Sequence, residues 1–120
     1  MIHTKALIVG GGPAGAACAW RLNQRHVECL IVDKAVFPRY KPCAGWITPQ
    51  VMSDLEFTRR DYPFGMTEFR SFDIEIKGIP FKLPTLQYAI RRYEFDRWLL
   101  ERSGAGFVQH EVKEIQTAGG

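Results

Sequence analysis

The strongest chemical signal in the chain is Gly10-x-Gly12-x-x-Gly15 followed by Asp33. Three glycines at this spacing, with an acid about 20 residues on, suit the binding of a dinucleotide. Each residue type has a separate reason to be there. Gly10 permits a tight turn. Gly12 lets the backbone approach a pyrophosphate with no Cβ in the way, and Gly15 lets a helix lie close to its strand. A helix opening at Pro13-Ala14 would present free N–H groups and the positive end of its dipole to phosphate. Asp33, with Lys34 beside it, ends the next apolar run, where its carboxylate can accept hydrogen bonds from an adenosine ribose. That carboxylate would repel a 2′-phosphate, which favours a nucleotide lacking one.

Other reactive side chains are more scattered. Cys43 follows Pro42 and precedes Ala44-Gly45. Arg39 and Lys41 flank the same loop as candidate partners for anionic groups, against the plainer reading of solvated loop charges. Cys18 and Cys29 fall within apolar patterns and read as small core residues. Three cysteines without metal-type spacing read as reduced thiols, and His3, His26 and His110 suggest no ligand set, so no metal site is expected. Neither a Gly-x-Ser-x-Gly elbow nor a Ser/His/Asp arrangement is present.

The elements that must position these groups are legible in order. Thr4–Val9 is a short apolar run without alternation, as expected of a parallel strand covered on both faces. After the glycine turn, Ala14, Ala17, Cys18, Arg21 and Leu22 recur at helical spacing. Val27–Val32 reads as a second buried strand, which completes a βαβ unit of about 30 residues. From Lys34 to Trp46 two prolines and a glycine forbid a long helix, so an ordered aromatic-rich loop is expected. Thr48-Pro49 opens a helix to about Leu55. Phe72, Ile74 and Ile76, then Ile79, Phe81 and Leu83 beyond Gly78, alternate as an antiparallel pair with one wet face. A helix resumes near Tyr93, with Phe95, Trp98, Leu99 and Arg102 on adjacent rows and Gly104 past its end. Phe107–Val112 is a last strand candidate. The 120 residues, 24% charged with net charge +3, allow one domain and give weak grounds for nucleic acid. Apolar runs such as Ala6–Val9 are too short to span a bilayer, and the opening residues lack a signal peptide, so a cytoplasmic start is expected.

Three segments resemble one group of flavoproteins, the aromatic-ring hydroxylases and geranylgeranyl reductases. The first is Ile8-Val9-Gly10-Gly11-Gly12-Pro13-Ala14-Gly15-Ala16, a turn common to many FAD enzymes. The second, Phe37-Pro38-Arg39-Tyr40-Lys41-Pro42-Cys43-Ala44-Gly45, is similar to the Lys-Pro-Cys-Gly-Gly segment of geranylgeranyl-reductase-like enzymes, with Ala44 in place of the first glycine. The third, Ile90-Arg91-Arg92-Tyr93-Glu94-Phe95-Asp96-Arg97-Trp98-Leu99, is similar to the group's Arg-x-x-Phe-Asp-x-x-Leu helix start. The excursion after Asp33 separates this pattern from a simple nicotinamide dehydrogenase.

The resemblance implies an α/β fold in which residues 1–120 are an incomplete, N-terminal FAD-binding domain. Its Rossmann-like βαβ unit would be interrupted at 66–90 by an antiparallel excursion belonging to a substrate-facing domain. The group's later Gly-Asp motif has no counterpart in these residues. The implied cofactor is FAD, held by Gly10, Gly12, Pro13, Ala14, Gly15, Asp33 and Lys34, with Cys43, Ala44 and Gly45 brought towards the flavin and Arg92 near the phosphates or adenosine. Cys43 is the implied catalytic thiol. The implied reaction is reduction of an isoprenoid carbon–carbon double bond, with NAD(P)H or ferredoxin as candidate electron donors and room for peripheral membrane contact. The alternatives are an aromatic-hydroxylase-type monooxygenase, a halogenase, or a non-catalytic nucleotide-binding remnant.

Overall fold

The computed structural model describes residues 1–119 and divides into two compact units. The first comprises Met1–Tyr40 and Asp96 onward; the second is Lys41–Phe95.

The first unit is built on a three-stranded parallel sheet in the order β1 (Ala6–Val9), β2 (Cys29–Asp33), β6 (Gly106–Gln109). Helix α1 (Pro13–Gln24) joins β1 to β2, which gives the expected βαβ crossover. The last strand ends at Gln109, short of the expected Val112. There the chain leaves the ladder with one further bond, from the His110 N–H to the Asp33 carbonyl at 2.8 Å.

The face of α1 that packs on the sheet differs from the expected one. Ala16 and Ala19 are fully buried, whereas Ala14, Cys18 and Arg21 are exposed. Close approach at Gly15 sets the helix rotation, and the following inward rows then fall one step away from Cys18. Cys18 is therefore a surface thiol and not a core residue. Near the carboxyl ends of α1 and α3 (Arg92–Arg102), the Asn23 side-chain amide donates to the Ser103 carbonyl at 3.2 Å, and Arg102 stacks over both Trp20 and Trp98.

The sheet is also not covered on both faces by the described residues. Leu7 and Val9 are 53% and 56% exposed, on the side opposite Ile8 and Ile31. Leu7 pairs with the half-buried Leu30 and Val9 with Val32, which is buried, so this apolar face lies open at its β1 edge within this unit.

The second unit holds an antiparallel sheet in the order β3 (Trp46–Ile47), β5 (Ile79–Ala89), β4 (Thr67–Ile76). Lys77 and Gly78 both have positive φ, the requirement of a two-residue type I′ hairpin turn. Phe72 faces Leu83, Ile74 faces Phe81 and Ile76 faces Ile79, which confirms the alternation. Pro80 and Pro84 are tolerated because β3 pairs only with Tyr88 and Ala89, leaving that edge of β5 free beside them. Helix α2 (Pro49–Asp54) is capped by Thr48, whose Oγ1 accepts from the Val51 N–H at 3.3 Å. The core gathers Ile47, Met52, Phe57, Tyr62, Met66, Ile90 and Phe95; the Phe95 ring lies 6.1 Å from Phe57 and 5.7 Å from Tyr62.

Candidate functional site: the glycine turn and its ring of polar groups

The glycine turn lies at the carboxyl ends of β1 and β2, where open parallel sheets bind ligands. Gly10 has φ +105°, a conformation L side chains rarely adopt, and its N–H donates to the Val32 carbonyl at 2.8 Å. A Cβ on Gly15 would overlap the Gly10 carbonyl oxygen, so the helix can sit this close only with glycine there. Gly12 is the N-cap of α1 and Pro13 its first residue; no side chain caps the helix and its first turn holds no acid. The N–H groups of Ala14 and Gly15 therefore have neither an intrahelical acceptor nor a competing carboxylate, which is the condition for holding an anion.

Asp33 does more than its position at the end of β2 suggests. Its Oδ2 accepts from the Gly11 N–H at 2.7 Å and its Oδ1 from the Ala35 N–H at 2.8 Å. The carboxylate thus fixes the turn, and its remaining lone pairs stay available to a ribose. Lys34 is exposed beside it, and its carbonyl accepts from the Gln109 side chain at 3.4 Å. Val9, Gly10, Val32, Asp33, Lys34 and the segment from His110 to Val112 line an open recess of about 260 Å³. The contribution of His110 and Glu111 was not evident from sequence. Its only signal is that they follow a strand parallel to β2.

Arg39, one of the loop cations, is not a solvated charge. Its side chain is 19% exposed, its guanidinium lies 4.8 Å over the Phe37 ring, and its Nη1 donates to Asp96 Oδ2 at 3.0 Å. Asp96 is 1% exposed. Lys41, by contrast, is exposed.

Cys43, Ala44, Gly45 and Arg92 belong to the second unit. Cys43 is exposed and in no disulfide, and its Sγ accepts from the Gly45 N–H at 3.4 Å. Gly45 has φ +72° and a Cβ there would collide with the Ile90 carbonyl; its own carbonyl accepts from the Ile90 N–H at 2.9 Å. The loop is thereby stapled to the strand end that leads into Arg92, the first residue of α3. Arg92 is half-buried, and Arg91 is exposed with Glu94 at 3.8 Å. Among the described residues no cluster of three His, Cys, Asp or Glu is arranged to hold a metal ion, and no helix is long and apolar enough to cross a membrane.

Comparison with known proteins agrees with this geometry. Residues 8–39 match the NAD(P)-binding Rossmann-like domain family. An uncharacterized protein of Methanosarcina barkeri is 34% identical over 115 residues, 91% of this chain and 30% of that protein. The geranylgeranyl diphosphate reductase of Rhodobacter capsulatus is 29% identical over 100 residues, 82% of this chain and 25% of that enzyme. The fold is similar to that of a flavin-dependent brominase, with a TM-score of 0.83 and 21% identity over 98% of this chain and 32% of that one. The chain spans 30% or less of the length of both curated relatives. Residues 8–39 thus resemble an NAD(P)-binding Rossmann-like domain, and most of the chain is similar to a part of geranylgeranyl diphosphate reductase and, in fold, to a part of a flavin-dependent brominase.

Proposed function

We propose that this chain forms the ADP-binding part of an FAD-dependent oxidoreductase of the geranylgeranyl-reductase-like type, acting in the cytoplasm on an isoprenoid substrate. The observation that carries the reading is the junction of β1, β2 and α1. A glycine turn approached by the Arg39 guanidinium at Gly12, an uncapped helix start and a carboxylate holding the turn meet at one edge of a parallel sheet. The similarity to geranylgeranyl diphosphate reductase supports the substrate class.

The residues divide the task by chemistry. The N–H groups of Ala14 and Gly15 would bind the pyrophosphate, with Gly12 and Pro13 leaving the approach open. Asp33 would accept from the ribose hydroxyls, with Lys34 beside the recess. Cys43, Ala44 and Gly45 are assigned to the flavin side, where Cys43 supplies a thiol able to hold a proton, and Arg92 would supply a cation near the phosphates or adenosine. FAD, when bound, supplies the hydride chemistry, and the protein supplies position and exclusion of water. NAD(P)H or ferredoxin would deliver the electrons, residues 66–90 would belong to a substrate-facing domain, and residues 1–120 to an incomplete FAD-binding domain.

The test is purification of the complete protein that contains this chain. Yellow protein whose flavin absorbance survives desalting, and which when reduced saturates a geranylgeranyl substrate, supports the reading. Stoichiometric NAD with no flavin after reconstitution overturns it.

A further inference from the structure

We infer that Arg39 is a phosphate-binding residue of the glycine turn and that Asp96 is its positioning residue. This rests on the nucleotide-binding reading above and extends it to two residues outside the glycine fingerprint. The guanidinium is divided between two neighbours. Nη1 donates to the buried Asp96 carboxylate at 3.0 Å, while Nη2 lies on the other side, 3.3 Å from where a Cβ on Gly12 would stand. The space above Gly12 is the space that glycine keeps clear for a pyrophosphate. A fork with one prong anchored on a carboxylate and the other over the turn is preorganised for a second anion. Phe37, 4.8 Å beneath the guanidinium plane, restricts its tilt. The backbone alone offers few N–H groups here, because Pro13 has none and that of Gly11 is taken by Asp33. A fixed cation beside Ala14 and Gly15 supplies what the turn lacks.

The anchoring explains the buried acid. An ionised carboxylate at 1% exposure is costly unless paired, and Arg39 is a partner that comes from the loop following β2. Asp96 thus ties that loop to α3 and fixes where Nη2 points. Lys41, exposed and outside this unit, has no comparable anchor.

The test uses the complete protein, with FAD binding followed by fluorescence and with ADP and adenosine as competitors. Two variants keep the interior balanced. Arg39→Lys retains a charge for Asp96 but has no second prong, and the double variant Arg39→Gln/Asp96→Asn removes both charges together. For each, circular dichroism and thermal unfolding establish that it is folded. The expected result is a loss of about 10-fold or more in affinity for FAD and ADP, with adenosine competition unchanged because adenosine has no phosphate. Asp96→Asn alone should weaken ADP less than the double variant, and the salt dependence of ADP binding should become shallower whenever Arg39 is replaced. Unchanged ADP affinity in the folded variants overturns the assignment. Equal losses for ADP and adenosine also overturn it, since they would make the pair a packing element only. A wild-type protein that binds neither FAD nor ADP would refute the nucleotide reading itself, a different result from either.

Discussion

Gly15 and the carbonyl oxygen of Gly10 are packed so closely that a single methyl group on Gly15 would overlap the oxygen. The contact is between backbone atoms at the junction of β1 and α1, so no rotamer change can relieve it. Gly12, three residues earlier, meets only the tip of the Arg39 side chain. The same substitution at the two sites should therefore separate stability from binding. Gly15→Ala should cost about 1–3 kcal/mol of stability, measured by urea unfolding, because helix and strand must move apart. Gly12→Ala should stay within about 0.5 kcal/mol of the parent, since its φ of −70° suits alanine and a flexible side chain can yield. It should nonetheless lower FAD affinity by an order of magnitude, because the methyl group stands in the phosphate approach. Equal stability losses in the two variants would contradict the distinction.

Asp33 accepts from Gly11 and Ala35 at once, and an amide cannot do both. In Asp33→Asn one of those N–H groups would face an NH2 group. Turn stability should fall by about 1–2 kcal/mol. Amide hydrogen exchange at Gly11 or Ala35 should quicken locally while that of Ile31 in the strand core is unchanged. Affinity for ADP should drop with it, and discrimination against an ADP bearing a 2′-phosphate should narrow because the repelling charge is gone. A variant with unaltered exchange at both amides would show that the carboxylate does not hold the turn.

The glycine turn was legible because each of its residues answers a local demand of backbone geometry, and local demands are written in residue type. The βαβ order, the Thr48 cap and the hairpin at Lys77-Gly78 were legible for the same reason. What was not legible depends on partners distant in sequence. Arg39 and Asp96 are separated by 57 positions, and nothing in either segment says that one neutralises the other. The phase of α1 was misread because Ala17 and Cys18 are as small as Ala16 and Ala19. Only the fixed contact at Gly15 decides which of these rows turns inward. The open β1 edge of the sheet is not legible because Leu7 and Val9 are as apolar as covered residues would be, and composition does not say which segment covers them.

Leu7 and Val9 on the parallel sheet should make residues 1–120 self-associate when produced alone. In the second unit Ile76, Ile79, Phe81 and Leu83 are likewise exposed, at 56%, 68%, 43% and 49%. Size-exclusion chromatography should show oligomers and the preparation should bind a hydrophobic dye. Leu7→Ser together with Val9→Thr should reduce both signals while leaving α1 helicity in place, because these side chains point away from the helix. A sharply monomeric, dye-silent parent would mean that these faces are not sticky in water.

The three cysteines should react with an alkylating agent in an order set by exposure and thiolate fraction. Cys43 and Cys18 are exposed, whereas Cys29 is half-buried against α1, its Sγ 3.9 Å from the Ala19 carbonyl. Burial, and secondarily the neighbouring Cys18, push the Cys29 thiol above its ordinary pKa. A raised pKa means less thiolate at a given pH, so Cys29 should label last near neutrality and gain reactivity only at higher pH. Mass spectrometry of native protein over a pH series would give the three rates separately. If the loop carrying Cys43 faces the flavin, FAD should slow labelling of Cys43 and leave Cys18, on the outward face of α1, unaffected. Cys43→Ala should fold and keep its flavin, since the side chain it removes is small and exposed. Turnover in that variant then decides the role of the thiol. Slower substrate reduction with intact flavin binding marks it as a proton-holding group, and unchanged turnover with FAD-independent labelling would remove Cys43 from the reaction altogether.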